Sequence, residues 1–182
     1  MSALGETSGV SPSSGMAGIP TLRDILKRKI SSFLPEAGKK LLVEASAEML
    51  AGAEDYHAEV SARKVPAGLY AVDIPLPEDF VRLVSLRMRS WQRGVDKVFT
   101  SASDCFQRQY SAEPGIAGCP SRPQAYLGNG ILTAIGSETA SDTLEHLHLW
   151  RIPLPDSAGN FHFPAPLYPD LLTRLLSLIS QN

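Results

Sequence analysis

The sequence predicts an α+β domain in which N-terminal helices, arranged as a hairpin or bundle, precede a small antiparallel β-hairpin or meander and a C-terminal helix. Apolar residues recur every three or four positions early in the chain, and every second position in its middle. Helical spacing returns after Pro169. Proline breaks helices and central strands, and it is missing from the stretches 36–65, 78–113 and 124–152. Long elements are therefore expected in those three stretches.

Composition bounds the size and class of the protein. The chain has 182 residues, a net charge of −2 and 43% hydrophobic residues, enough for one domain with a core. Residues 1–18 are rich in serine and glycine and predict a flexible arm, which leaves 19–182 as a single domain. The nearly neutral charge argues against a general nucleic-acid-binding protein. We expect no membrane-spanning segment and no signal peptide.

The first predicted helix covers residues 21–34. Thr21 and Asp24 form the pattern of a helix N-cap with its reciprocal acid, and Pro35 is expected to end the helix. Its apolar face has no evident place in a core that is already complete, so we expect this face to dock on a neighbouring subunit. The candidate subunit-interface residues are Leu22, Ile25, Ile30 and Phe33.

A second helix is predicted from about residue 36 to residue 63. Apolar and small residues step by three and four positions from Leu42 to Val60. Gly52 would lie in the middle of this helix, at a cost of about 1 kcal/mol relative to alanine. Since small side chains let helices approach closely, this face is expected to pack against another helix.

Two strands and a return are predicted next. Apolar residues at 69–74 and alternating residues at 84–88 indicate two strands. Gly94 is expected to take positive φ in a turn, after which 95–99 returns along the preceding strand.

Four further features complete the predicted domain. A loop rich in proline and glycine is expected up to residue 123, and the segments 124–127 and 131–135 then flank Gly-Asn-Gly, a strong hairpin signal. Residues 144–152 predict a strand with both faces partly covered. The last helix is expected to begin near Pro169, because proline is tolerated in a first helical turn.

Motifs of common enzyme classes do not occur in the sequence: it has no phosphate-binding loop, dinucleotide fingerprint or Gly-x-Ser-x-Gly elbow. The sharpest chemical candidate is the pair His146 and His148, because alternate residues of a strand point to one side and could bind one metal ion. Asp142, Glu145 or His162 could add a ligand. The alternative is that both histidines pack in the core or in an interface, since they share their face with apolar side chains.

The two cysteines suit a reducing compartment, because they are too few for a disulfide-built scaffold. Cys105 is expected in a short helix that Ser101 or Ser103 caps and that reaches Tyr110, whereas Cys119 lies in the predicted loop. A nucleophilic cysteine would need a nearby histidine or a helix N-terminus to lower its pKa. We expect one buried thiol, one loop thiol and no cofactor.

Positive charge is concentrated in residues 82–97, which hold five basic residues and one acid. Arg87, Arg89 and Arg93 form the candidate face for an anionic partner, either nucleic acid or an acidic neighbouring subunit. An ordinary solvated face is the alternative. Residues 136–182 carry five acids and two arginines, and opposite charges on two parts of one chain favour head-to-tail self-association.

Four segments follow one another in a distinctive order. The first, Asp73–Met88, places Leu-Pro-Glu-Asp-Phe before a predicted strand, and Trp91 comes after it. The others are Gln107–Tyr110, Gly118–Tyr126 before the meander, and Arg151–Pro155 after it. In this order the chain resembles the head–tail connector proteins (adaptor or neck ring) of tailed bacteriophages. The resemblance covers roughly residues 37–180.

This resemblance implies a structural virion protein without catalysis. Such proteins form rings, typically of about twelve subunits, between the portal protein and the tail or neck proteins. DNA passes through the lumen without specific binding, and assembly takes place in the cytoplasm of the bacterial host. A tail-completion protein or another virion ring is also compatible. Two other classes stay open: a non-viral interaction module of a bacterial complex, and a small metal-dependent enzyme that uses His146 and His148.

Overall fold

The structure is a computed structural model that describes residues 21–66, 68–100 and 117–181. It confirms the α+β class, with roughly 30% helix and 31% strand. The elements in chain order are α1 (Leu22–Glu44), a 3₁₀ turn (Ala47–Leu50), β1 (Glu54–Asp55), β2 (Ser61–Lys64), β3 (Tyr70–Pro75), β4 (Phe80–Met88), β5 (Gln124–Gly128), β6 (Ile131–Ser137), β7 (Leu144–Arg151), a second 3₁₀ turn (Ala165–Leu167) and α2 (Tyr168–Ser180). The strands form two antiparallel sheets, ordered β1-β7-β4 and β2-β3-β6-β5.

Helix α1 begins as predicted but ends ten residues later than Pro35 suggested. Thr21 and Asp24 form the expected capping box, and Pro35 lies inside the helix, which continues to Glu44. Proline in a helix interior costs about 3 kcal/mol because it removes one hydrogen bond and crowds the preceding turn. The buried face beyond Pro35 offsets this cost. Its residues are Ala37, Gly38, Leu41 and Leu42, together with Leu34 just before the proline.

The predicted second helix over 36–63, and with it the N-terminal helical hairpin or bundle, is wrong. Residues after Glu44 form a 3₁₀ turn and the short strands β1 and β2. Gly52 takes φ +84°, a left-handed conformation that a helix interior does not accept. Tertiary bonds draw this segment along β7, since Tyr56 N–H donates to the Leu147 carbonyl over 2.8 Å.

The strands β3, β7 and the β5–β6 hairpin, and helix α2, lie where they were predicted, and β4 begins earlier, at Phe80. In the hairpin turn, Asn129 and Gly130 have φ values of +51° and +73°. Two successive left-handed residues define the turn type whose twist matches a β-hairpin.

The sheet β1-β7-β4 has both faces partly covered, which confirms the prediction for β7. One face packs on the other sheet through side chains that include Leu86, Leu147 and Leu149. The opposite face meets α1 and α2 around Trp150, which is buried in the second core and donates its indole N–H to the Leu50 carbonyl over 3.0 Å. The domain therefore has three layers: a helix pair, a three-stranded sheet and a four-stranded sheet.

The predicted return over 95–99 is confirmed at Val95 but not beyond it, because the segment then crosses from one sheet to the other. Val95 pairs with Leu86 of β4 in an antiparallel bridge, whereas Phe99 pairs with Tyr126 of β5 in a parallel bridge. Gly94 does not have a positive φ. We call residues 92–99 the crossing segment.

Three expectations fall on parts of the chain that lie outside the described residues: the arm 1–18, the short helix to Tyr110 and the placement of Cys105. Of the helices that the structure describes, none combines the length and the apolar character needed to cross a bilayer.

Candidate interaction surfaces

The first two turns of α1 extend past the end of α2, with Lys27 beside the loop 155–159. Helix α1 has 23 residues and is therefore about 34 Å long. Glu44 forms a 2.7 Å ion pair with Arg174 of α2, and Ala37 shares a cavity with Leu178 near the other end of α2. The two helices are thus antiparallel. Since α2 ends at Ser180, the start of α1 extends past it.

We define residues 21–28 as the helical arm. All eight are exposed, including Leu22 at 73%, Ile25 at 41% and Leu26 at 41%. These three lie at i, i+3 and i+4 and therefore share one side of the helix. Hydrogen bonds with Thr21 lower the pKa of Asp24, so this carboxylate stays ionised to a lower pH than a free aspartate.

The four predicted interface residues divide into two pairs. Leu22 and Ile25 lie on the helical arm and are 73% and 41% exposed. Ile30 and Phe33 are half-buried and pack against the core between the helices and the sheet. The spacing of apolar residues did not predict that one pair is exposed and the other half-buried. It shows which residues share a helix face, but not where the neighbouring helix ends. It also did not select Leu26 as an interface residue.

A second exposed apolar surface lies on α2. Leu171 and Leu175 are buried, whereas Leu172 and Leu176 are 57% and 67% exposed. Leu172 and Leu176 lie one turn apart on the side of α2 away from the core. The sequence shows two adjacent leucine pairs, 171–172 and 175–176, but this pattern does not indicate which leucine of each pair is buried in the core.

The three predicted anion-facing arginines have different surroundings. Arg87 Nε lies 3.0 Å from Glu145 Oε2, which neutralises much of its charge. Arg89 and Arg93 are exposed. Arg82, counted within the same basic segment, instead donates to carbonyl groups at the end of α1.

Arg93 lines a groove of about 410 Å³ between the crossing segment and the turn before β5. Lys97 and Arg122 line the same groove, as does the carboxylate of Asp96. Arg122 was not part of the predicted basic face, since it lies 25 residues after Lys97 in the chain. Folding thus adds one cation to the predicted surface and takes Arg82 away from it.

The predicted histidine pair is part of a polar row across the three-stranded sheet. Register places Asp55, His148 and Ser85 opposite one another on β1, β7 and β4. Ser85 Oγ lies 3.0 Å from His148 Nδ1, and Asp55 Oδ1 lies 3.9 Å from His148 Nε2. His146 stacks on His148 with ring centroids 4.9 Å apart. Both ring nitrogens of His148 therefore face protein groups.

Electrostatics keeps His146 neutral near physiological pH. Burial lowers the pKa of His146, and the neighbouring His148 lowers it further. Asp55 also lies 3.5 Å from His57, so its carboxylate is flanked by two imidazoles.

The candidate third metal ligands are used elsewhere. Asp142 binds the backbone N–H and hydroxyl of Ser90, and Glu145 pairs with Arg87. His162 bonds with the Gly52 carbonyl and stacks on Trp150. Within the described ranges, no group of three histidine, cysteine, aspartate or glutamate side chains could hold a metal ion.

A serine, a histidine and an aspartate in bonding order are also the residue types of a hydrolase triad. A hydrolase further requires free N–H groups that hold the oxyanion. His148 lies on the central strand β7, which pairs with β1 and β4, and the Leu86 N–H next to Ser85 donates to the Val95 carbonyl. We therefore interpret the row as a polar network that ties the two-residue strand β1 to the sheet.

Cys119 is a half-buried thiol in the turn before β5, as expected of a loop cysteine. A hydrogen bond with Ser121 lowers its pKa, against the opposing effect of burial.

No protein-family model matches this chain, and no curated protein matches it either.

Proposed function

We propose that this protein is a structural subunit of the head–tail connector of a tailed bacteriophage. In this role it forms a ring between the portal protein and the tail and serves as a conduit for DNA. The segment order from Asp73 to Pro155 supports the family, and the helical arm supports assembly into a ring. The single observation that carries the proposal is the exposure of Leu22, Ile25 and Leu26 on the part of α1 that extends past the end of α2.

Exposed apolar side chains on a projecting helix are costly unless a partner covers them. Full burial of a leucine or isoleucine side chain contributes about 1.5–3 kcal/mol, and a partner would gain the part of this that corresponds to the 41–73% of each side chain that is exposed. The capping box keeps the helical arm helical before contact, which reduces the ordering cost of binding. The arm is therefore preorganised to dock on another protein.

The positions of the two exposed apolar surfaces allow a repeating assembly. The helical arm lies at the N-terminal end of α1, whereas the exposed leucines of α2 lie beside the C-terminal part of α1, about 20–30 Å away along the helix. An arm cannot reach the α2 surface of its own chain over that distance. Contact of the arm with a different surface on a second copy is heterologous, and repetition of such a contact closes a ring or extends a filament.

The first test is native mass spectrometry and particle imaging of the protein, alone and with a portal protein. We expect a closed ring of about twelve copies. If the protein stays a monomer in the presence of the portal, the connector function is rejected. If it co-sediments with cellular complexes but not with virus particles, it is a bacterial interaction module instead.

The second test replaces the three exposed side chains of the helical arm, as Leu22→Ser, Ile25→Ser and Leu26→Ser together. We expect monomers whose circular dichroism spectrum and unfolding midpoint stay close to those of the wild type, because none of the three side chains belongs to a core cluster of the described chain. The matched control is Leu154→Ser, which removes another exposed leucine, 58% accessible, and should leave the ring intact. Rings that persist in the triple variant contradict docking through the arm.

A further inference from the structure

We propose that the groove lined by Arg93, Lys97 and Arg122 binds the phosphate backbone of nucleic acid. The inference deepens the proposed function and takes its biological meaning from it, since a conduit brings DNA past the subunits. Its test does not require a ring.

The groove has a defined shape, because backbone bonds fix both of its walls. The N–H of Gln92 donates to the Pro120 carbonyl over 2.9 Å, which joins the start of the crossing segment to the turn before β5. Val95 and Leu86 exchange two bonds of 2.8 Å. The N–H of Phe99 donates to the Ala125 carbonyl over 2.9 Å. The cations are thus carried by segments that the two sheets hold in place.

The charge of the groove is available to a ligand. Arg93, Lys97 and Arg122 are exposed, and in the described part of the chain none of the three forms an ion pair. The one carboxylate in the lining, Asp96, leaves the groove net positive, although the whole chain carries −2. Arg89, at the end of β4, adds a further exposed cation near the start of the crossing segment.

The composition of the groove favours a phosphate backbone over an acidic protein. Protein interfaces depend on large apolar or aromatic anchors that fill pockets. The apolar lining here consists of Val95, Phe99 and Pro123, and none of the exposed large hydrophobic residues of the described chain lies in the groove. Phosphate contacts require only cations and hydrogen-bond donors, and the arginine fork matches phosphate oxygens.

The three cations of the groove can contact the phosphates of a nucleic acid, but they do not distinguish one base sequence from another. Phosphate contacts carry no sequence information, and each contact releases counterions, so affinity falls as salt rises. Binding is therefore expected to be weak at physiological salt and independent of sequence. That behaviour suits DNA that must move past the protein.

The experiment measures fluorescence anisotropy of a fluorescein-labelled duplex of mixed sequence, titrated with the full chain at several salt concentrations. The groove variant carries Arg93→Gln, Lys97→Gln and Arg122→Gln. The matched control carries Lys39→Gln, Lys40→Gln and Lys64→Gln, which removes the same charge from exposed positions elsewhere. Circular dichroism and native mass spectrometry check that both variants keep the fold and the oligomeric state of the wild type.

We expect the groove variant to bind at least about tenfold more weakly at low salt and to show a smaller salt slope, by about two to three in log–log form. The control is expected to change affinity less than about threefold. An equal loss in both variants shows attraction by overall charge alone and overturns the proposal, as does a wild type that does not bind DNA at low salt.

A second arm of the experiment replaces the duplex with labelled polyglutamate. If polyglutamate binds as tightly as DNA and depends on the same three side chains, the groove is a site for an acidic protein and the phosphate proposal is overturned. The two proposals fail separately: rings without groove-dependent DNA binding reject the groove alone, and groove-dependent binding by a monomer rejects the ring alone.

Discussion

The guanidinium of Arg82 donates to the carbonyl oxygen of Ala45 over 2.5 Å, where helix α1 ends. The same nitrogen reaches the carbonyls of Leu42 and Val43 at 2.9 and 3.0 Å. The last carbonyls of a helix have no partner within the helix, and the last turn of α1 contains no basic residue of its own. A cation from β4 therefore completes the C-terminus of α1 and attaches the helix to the sheet.

We expect Arg82→Met to lower the free energy of unfolding by about 1.5–3 kcal/mol, because it leaves partly buried carbonyl groups without a charged donor. Methionine retains much of the apolar stem. Urea unfolding followed by circular dichroism measures the change. Arg89→Met is the control, since Arg89 is exposed, and it should change stability by less than about 0.5 kcal/mol. Equal effects of the two substitutions would show that the cap contributes nothing.

Gly38 is required where α1 crosses the segment after β7. In an ordinary helix interior, alanine is more favourable than glycine by about 1 kcal/mol. Here a Cβ would collide with the ring of Pro153 and lie 3.3 Å from the Phe163 ring. We therefore expect Gly38→Ala to destabilise the protein by about 1–3 kcal/mol, measured by urea unfolding. Lys39→Ala at the adjacent exposed position should have little effect; a stabilised Gly38→Ala protein would contradict the packing.

The β5–β6 turn depends on glycine at only one of its two left-handed positions. Gly130 has φ +73°, and an alanine in that conformation costs about 1–2 kcal/mol. Gly130→Ala is expected to lower the stability by that amount in a chemical unfolding experiment. Asn129→Gly should be close to neutral, because asparagine and glycine both accept this conformation. If both substitutions destabilise equally, side-chain contacts rather than φ control the turn.

The lowered pKa of His146 predicts a loss of stability on acidification. Its folded pKa lies below the ordinary value of 6.5, so the unfolded chain binds the proton more tightly. The contribution of His146 is therefore fully present above pH 6.5 and declines as the pH falls through its folded pKa. The groups around it are His148, Glu145, Arg87 and Asp55, in order of influence after burial.

The measurement compares unfolding free energies at neutral and mildly acidic pH for the wild type and His146→Gln. We expect the variant to lose less stability on acidification than the wild type. The control is His57→Gln. His57 is exposed, and its replacement leaves His146 and the groups around His146 in place. A pH dependence that is the same in His146→Gln and the wild type would refute the assignment.

Local sequence patterns predicted those helix and turn boundaries that depend on residues close together in the chain. The capping box of Thr21 and Asp24, the turn at Gly130 and the proline in the first turn of α2 act over four residues or fewer, so they are legible in the chain. For the same reason, the apolar spacing of the helical arm could be recognised in the sequence, and Leu22 and Ile25 could be selected as interface candidates.

The remaining features depend on contacts between distant residues. Arg82 caps α1 from 40 residues away, and Trp150 holds the Leu50 carbonyl from 100 residues away. These contacts, together with the burial of the face beyond Pro35, decided that α1 passes through the proline and that the following segment joins the sheet instead of forming a second helix. Long-range packing can outweigh a local helix propensity of a few kcal/mol. A local sequence pattern does not show where this happens.

The sequence by itself therefore determined the α+β class, the strands β3 to β7 and the apolar and basic residues available for contact. Only the tertiary structure decided which of these residues stay exposed. It separated Leu22 and Ile25 from Ile30 and Phe33 by where α2 ends, and it brought Arg122 beside Arg93 and Lys97 across the two sheets. The physical reason is that exposure and charge proximity are properties of neighbouring surfaces, whereas periodicity is a property of one element alone.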